Sequence, residues 1–344
     1  MIRRALLLLG VCLTLLATAG AYLRADEPLL QVTAVQSVGF TVSDMERSVA
    51  FYTDVLGFER VSDHEFSGRE HELATGVFGA RIRVVGLRLG GQSLELTQYL
   101  APVGRPAPDD LRAHDAVFQH VAIVVSDMDR AYAQLRAKGV RHASTGPQRL
   151  PDWNPNAGGI SAFYFRDPDG HFLEILHFPP DKGQAMWHRP TPLLLGIDHT
   201  AIVVDDTDRA LRFYRDVLGL AIAGTSENYD LEQEHLNNVF GARLRITTLR
   251  AAAGPGIELL EYLAPRDGRP APRDLRANDL AHWQTTVVTN APERVFSSLA
   301  TRAFALVSPR PADIDVRALD LRQVALIRDA DGHGVRVAST FEHR

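Results

Sequence analysis

Apolar residues along the chain switch between a period of two and a helical period, and the same order of switches returns four times. Val38 to Val42 alternates apolar and small residues, as a half-buried strand does. Ser43-Asp-Met-Glu46 reads as a capping box, and the amphipathic stretch behind it predicts a helix to Leu56 that Gly57 stops. Strand-like runs follow at 82–89 and 93–100. A second unit has a strand at 120–125, a helix from Ser126-Asp-Met-Asp129 to Lys138-Gly139, a strand at 162–165, an Asp167-Pro-Asp-Gly170 turn and a strand at 172–178. The third has a strand at 199–204, a helix at 206–218 and strands at 244–249 and 256–263. The fourth has a strand at 284–288, a helix capped by Asn290 and the turn Asp329-Ala-Asp-Gly332. The repeating unit is β-α-β-β-β.

The second half of the chain is a copy of the first. Phe51-Tyr-Thr-Asp-Val-Leu-Gly57 returns as Phe213-Tyr-Arg-Asp-Val-Leu-Gly219, and Val77-Phe-Gly-Ala-Arg81 as Val239-Phe-Gly-Ala-Arg243. Tyr99-Leu-Ala-Pro102 returns as Tyr262-Leu-Ala-Pro265, and Gly104-Arg-Pro-Ala-Pro108 as Gly268-Arg-Pro-Ala-Pro272. The boundary falls between Pro179 and Pro192, where Pro and Gly replace periodicity. The expected organisation is a first domain at 34–180 (modules 34–102 and 117–180) and a second at 194–342 (modules 194–265 and 281–342).

Ahead of these, Met1-Ile-Arg-Arg4 leads into an uncharged stretch from Ala5 to Leu23 with a small-residue site at Ala19-Gly20-Ala21. Residues 1–25 read as a secretory signal peptide or, uncleaved, as an N-terminal anchor. Both readings place the folded part outside the cytoplasm, periplasmic or secreted, with membrane contact only through this segment.

Composition narrows the function classes. The 344 residues are 45% apolar and 23% charged, which excludes long disorder, collagen and a multi-span membrane protein. A net charge of -5 and no basic run exclude a nucleic-acid binder. The single cysteine, Cys12, lies in the leader, so the mature chain has no disulfide, thiolate metal site or Cys nucleophile. Walker A, Gly-x-Ser-x-Gly and His-Glu-x-x-His motifs are missing, and His71-Glu-Leu-Ala-Thr75 lacks its second His.

A strand ending in Val-Ser-Asp or Val-Asp-Asp, a helix with Phe-Tyr and Leu-Gly, a Leu-Glu-Leu strand and an Asp-Pro-Asp-Gly-His-Phe-Leu-Glu segment together resemble the vicinal oxygen chelate superfamily, which includes glyoxalase I, extradiol dioxygenases and bleomycin resistance proteins. The resemblance covers nearly everything after residue 34. It implies an α+β fold in which four βαβββ modules pair into two cupped mixed sheets, each able to surround a metal. Each module can offer one ligand from its first strand and one Glu from its last. The matching first-strand residues are Ser37, His120, His199 and Gln284, and the last-strand residues are Glu95, Glu174, Glu258 and Arg336. The metal-ligand set implied is therefore His120, Glu174, His199, Glu258, Glu95 and Gln284, with Glu174, backed by Glu258, as the catalytic base. Ser37 and Arg336 depart from the pattern.

Residue chemistry is consistent with that set. His and carboxylate donors suit Fe, Mn, Ni, Co or Zn. Each of these Glu interrupts an apolar run, where an unpaired carboxylate is costly. An ordinary Arg–Glu salt bridge would serve equally for any one of them. If modules pair in sequence, each site lacks a ligand. If two pairs with three, His120, Glu174, His199 and Glu258 make a full set and the one–four site is degraded. Both arrangements remain open from sequence.

Weaker candidates are Tyr99 and Tyr262, four residues beyond a Glu on the same strand face, and the loop residues His71, Trp153, Asn237 and Asn238. His171 and His333 follow matching turns and read as surface residues. The expected function is an exported metal-dependent enzyme, monomeric or homodimeric, acting on a small molecule through two substrate oxygens with lyase or isomerase chemistry. The alternatives are a ring-cleaving dioxygenase and a metal-free sequestering protein.

Overall fold

In the computed structural model, residues 28–297 and 304–341 are described; the expected leader at 1–25 lies outside them. No helix among the described residues is long and apolar enough to cross a membrane.

Two nine-stranded mixed sheets carry the fold. Module one supplies β1 (Ala34–Thr41), β2 (Glu59–Ser67), β3 (Arg81–Leu89) and β4 (Gln92–Ala101). Module two supplies β5 (Gln119–Val125), β6 (Arg141–His142), β7 (Gln148–Arg149), β8 (Ser161–Arg166) and β9 (Phe172–His177). Module three supplies β10 (Leu194–Val203), β11 (Ala221–Asn228), β12 (Arg243–Arg250) and β13 (Gly256–Ala264). Module four supplies β14 (Trp283–Val288), β15 (Ala305–Leu306), β16 (Ala312–Val316), β17 (Leu321–Arg328) and β18 (Gly334–Ser339). One sheet runs β15-β17-β18-β14-β1-β4-β3-β2, with β16 on β17, and so joins modules four and one. The other runs β11-β12-β13-β10-β5-β9-β8-β6, with β7 on β8, and joins modules three and two. Within each module the first strand lies parallel to the last, while the two first strands meet antiparallel at the sheet's centre.

The two largest apolar clusters follow a different grouping. One apolar cluster collects Phe40, Tyr52 and Leu94 from module one with Ile123, Leu135 and Phe163 from module two. A second collects Ile202, Phe213 and Leu259 from module three with Val287 and Val335 from module four. In these two clusters sequence neighbours share a core, while the sheets cross between the halves and a third cluster joins modules two and three as their sheet does. Full burial of one such aromatic or Leu contributes roughly 1.5–3 kcal/mol.

Three helix starts differ from expectation in detail. Asp44, not Ser43, is the N-cap of the helix Met45–Asp54, and its carboxylate accepts from Arg47 N. Asp127 and Asp206 do the same before Met128 and Thr207. The third helix is α-helical only over Thr207–Leu211 and widens to a π-turn over Arg212–Val217. In module four the described helix spans Arg294–Ser297, so Asn290 does not cap it. Strands β2 and β11 and the helices Arg69–Thr75 and Leu231–Asn237 were not anticipated. Both strands are largely exposed, so they lack the apolar alternation that marks a half-buried strand.

His171 and His333 are not surface residues, contrary to the sequence reading. Both are buried where the two sheets abut. His171 Nδ1 is 2.8 Å from Asp167 Oδ2, and its Nε2 is 3.0 Å from Leu280 O in the turn that leads into β14 of the other sheet. His333 Nε2 is 2.7 Å from Val203 O. The Phe-Tyr helices reach the same joints, since Tyr52 and Tyr214 donate to Asp167 and Asp329 at 3.3 and 2.9 Å. The Asp-x-Asp-Gly turns therefore tie the sheets together.

The duplicated Gly-Arg-Pro-Ala-Pro segments have a similar task. A Cβ on Gly104 would stand 1.9 Å from Asn278 O, and one on Gly268 1.9 Å from His114 O, so only glycine permits the approach. Arg105 then grips Asp279, and Arg269 grips Asp115.

Candidate metal centre

The antiparallel pairing of β5 with β10 sets His120 opposite Ala201 and His199 opposite Ala122. Parallel pairing places Glu174 beside Ala122 and Glu258 beside Ala201. Paired residues share a face and alternate residues return to it, so His120, Glu174, His199 and Glu258 all project from one face of the sheet. Donor atoms of His120, Glu174 and His199 all lie within 4.8 Å of one another. His120 Nε2 is 3.1 Å and His199 Nε2 3.6 Å from Glu174 Oε2, and His199 Nε2 is 3.4 Å from Glu258 Oε2. Despite these approaches neither Nε2 has a hydrogen-bond partner, and both are buried. Two orphaned imidazole nitrogens beside carboxylates are what a cation-binding set requires. The cluster could hold a divalent metal ion, and its His and carboxylate donors leave the identity of that ion open.

The surroundings orient this set. Asp198 Oδ2 lies 3.0 Å from His199 Nδ1, which leaves Nε2 facing Glu174 and Glu258. Arg250 holds Asp198 through both carboxylate oxygens at 2.9 and 3.0 Å, and Trp187 Nε1 donates to Asp198 Oδ1 at 2.8 Å. Thr248 donates to Glu258 Oε1 at 2.8 Å. Burial alone would lower the pKa of His199, but the carboxylates of Glu258, Asp198 and Glu174 outweigh it and raise the pKa to about 9. Burial alone would raise that of Asp198, but its hydrogen bond to His199 and the charge of Arg250 hold it at about 2. The Tyr164 ring lies tilted against His120 with centroids 4.8 Å apart, and burial keeps its phenol protonated.

The four residues open into a cavity of about 350 Å³, within the range of small-molecule sites. Its walls include Leu150, Ile160, Leu176, Leu236, Leu244 and Leu260. Asp198, Trp187, Arg250 and Thr248 were missed from sequence. The Asp198-His199 pair was visible there, whereas Trp187 lies in the linker set aside as aperiodic.

Glu95 and Gln284 stand apart from the cavity, at the matching place in the other sheet. There Ser37 and Arg336 both bond to the Glu95 carboxylate, and Arg336 Nε donates to Thr286 at 3.0 Å. A guanidinium supplies the positive charge beside Glu95. Arg336→Ala is expected to destabilise the fold by about 2 kcal/mol, because it strips a buried carboxylate of its cation. Metal content should not change. Urea unfolding and elemental analysis of the same sample check both.

None of the weaker candidates lines the cavity. Tyr99 and Tyr262 fill apolar clusters. Asn237 donates to the Tyr262 hydroxyl at 2.6 Å, and Asn238 is the left-handed end of its helix. Trp153 stacks on Tyr229 and His71 on Phe66.

Paired βαβββ modules with a His–Glu–His cluster at their seam define a metal-site class of fold. The model of the Glyoxalase/Bleomycin resistance protein/Dioxygenase superfamily matches residues 34–175 and 196–337, and the chain belongs to that family. A 2-epi-5-epi-valiolone epimerase of an Actinomyces species is 34% identical over 154 residues, covering 42% of this chain and 80% of that one. A probable chloroplastic lactoylglutathione lyase of Arabidopsis thaliana is 26% identical over 192 residues, covering 56% of this chain and 45% of the relative. The chain spans about half the length of the lactoylglutathione lyases it matches. The crystal structure of glyoxalase I from Zea mays shares the fold, with a TM-score of 0.57 at 16% identity over 89% of this chain and 92% of that one.

Proposed function

We propose that this protein is an exported, metal-dependent enzyme performing lyase- or isomerase-type chemistry on a small molecule at the seam of modules two and three. The observation that carries this reading is the convergence of two buried, unpartnered imidazole nitrogens on the Glu174 carboxylate at a cavity. His120, His199 and Glu174 are the residues that would hold the ion. A bound divalent ion would act as a Lewis acid towards neighbouring oxygens of the substrate.

The chain's own residues divide the remaining work. Glu174 is fixed between two histidines, which suits it to holding rather than to proton transfer. Glu258 is bonded through Oε1 to Thr248 and is the more exposed carboxylate, so it is the better group to take a proton from a carbon beside a substrate carbonyl and return it. This reverses the order of the two glutamates implied by family resemblance. Apolar walls limit water at the reacting carbon. Relatives named as an epimerase and a lyase support isomerase or lyase chemistry. The N-terminal leader supports export and so disfavours a cytosolic thiol adduct as substrate.

Deuterium exchange into small 2-hydroxyketones in D₂O, followed by proton NMR, tests the reading. Exchange should need the loaded metal and should fall about a hundredfold or more in Glu258→Gln with metal content unchanged. Metal-independent exchange, or loss of metal along with exchange, would overturn the role of Glu258. A second reading rests on the tight donor group being two His and one Glu, a set that suits Fe(II) and ring-cleaving oxygenation. Oxygen uptake with catechol and iron, without exchange, would favour it.

A further inference from the structure

The segment between the two repeats does more than connect them. Its first turn is closed by Lys182 N donating to Pro179 O at 3.1 Å. Gly183 follows with φ +77, and a Cβ there would meet the Phe178 ring at 2.5 Å, so the chain is pressed against a wall of the cavity. Lys182, Gly183 and Gln184 line the same cavity as His120 and Glu174.

Lys182 brings an incompletely matched charge into it. Its side chain is 19% exposed, while its ion partner Asp181, 3.5 Å away, is 75% exposed and solvent-screened. Pro155 O accepts one N–H of the ammonium at 3.2 Å. An ammonium has three donors, so even with one turned to Asp181 another remains. The other long basic side chain in the cavity, Arg250, is answered inside the protein by Asp198. A partly desolvated cation is stabilised by an anion, and an ammonium on a flexible stem accepts carboxylate or phosphate alike.

We infer that Lys182 forms an oxyanion subsite of the substrate pocket, and that the substrate carries a carboxylate or phosphate separate from the oxygens directed at the metal centre. The inference rests on the proposed use of this cavity, and its test does not need that chemistry. Calorimetric titration of inorganic phosphate and of succinate is made into Mn-loaded and chelator-stripped protein, with metal content measured on each sample. At least one anion should bind the stripped wild type at a single site. Lys182→Met should weaken that binding about tenfold or more, Lys182→Gln should repeat the loss, and Lys182→Arg should stay within about threefold. Circular dichroism confirms folding of each variant. Which anion binds distinguishes phosphate from carboxylate recognition.

Binding that vanishes on stripping and ignores Lys182→Met would place the anion on the metal and overturn the subsite while leaving the metal reading intact. Absence of binding in both states would also overturn it. A Lys182-dependent site in protein that takes up no metal would support the subsite and sink the metal reading.

Discussion

Glu174→Gln is expected to abolish stoichiometric metal binding. Its carboxylate stands beside both His120 and His199, so the amide removes the negative charge shared by the whole donor set. Loss of a ligand charge of this kind should lower affinity by more than the roughly 10- to 100-fold typical of residues that merely orient ligands. Dialysis against one equivalent of Mn²⁺ or Zn²⁺ followed by elemental analysis should give about one metal per wild-type chain and almost none for the variant. Retention of full metal by Glu174→Gln would reject Glu174 as a ligand. The pH dependence follows from His199. Its folded pKa is near 9, so a cation entering at neutral pH must displace a proton. Affinity should therefore rise with pH until about 9, and binding at pH 7 should release a proton measurable in weak buffer.

Asp115→Asn is expected to produce the largest loss of stability, about 3–5 kcal/mol. The Asp115 side chain is fully buried and accepts the backbone N–H of Arg112 and of Arg269, both at 2.9 Å, as well as the Arg269 guanidinium. One carboxylate thus closes a loop between segments more than 150 residues apart. Burial would raise its pKa, but the bonds from Arg269 and Arg112 outweigh that and hold it at about 2. A depressed carboxyl contributes stability above its unfolded pKa near 3.9 and loses it as pH falls towards 2. Wild type and variant should therefore differ most in urea midpoint above pH 5, and the gap should close between pH 4 and 2. A gap independent of pH would assign the effect to shape rather than charge.

The module order, the duplication and the two mixed sheets were legible because alternation is a local signal that recurs in every module, and the Asp-x-Asp-Gly turn returns in the second and the fourth. The resemblance, read module by module, implied His120, Glu174, His199 and Glu258 among its ligands, and strand register sets these four on one face of the sheet. Pairing was not legible. It depends on which first strands meet, and β5 with β10 resembles β5 with β1 in composition. The same ambiguity placed Glu95 and Gln284 beside the others, although they lie in the sheet where Arg336 supplies the charge. Buried His171 and His333 were misread because a turn motif gives no sign of a second sheet abutting it. Trp187 and Lys182 escaped notice because a stretch rich in Pro and Gly has no period, yet its position over a cavity is fixed by tertiary contacts.

The crossed pairing also makes one sheet far more local in sequence than the other. The sheet with the His–Glu–His cluster is built from one continuous stretch, Gln119 to Ala264, whereas its companion needs Ala34 to find Val288. As the chain emerges from a ribosome, the inner sheet can close while the first module still has an open edge at β1. Closing that edge is a long-range, slow event. An unpaired β1 edge is where two such chains would pair by mistake.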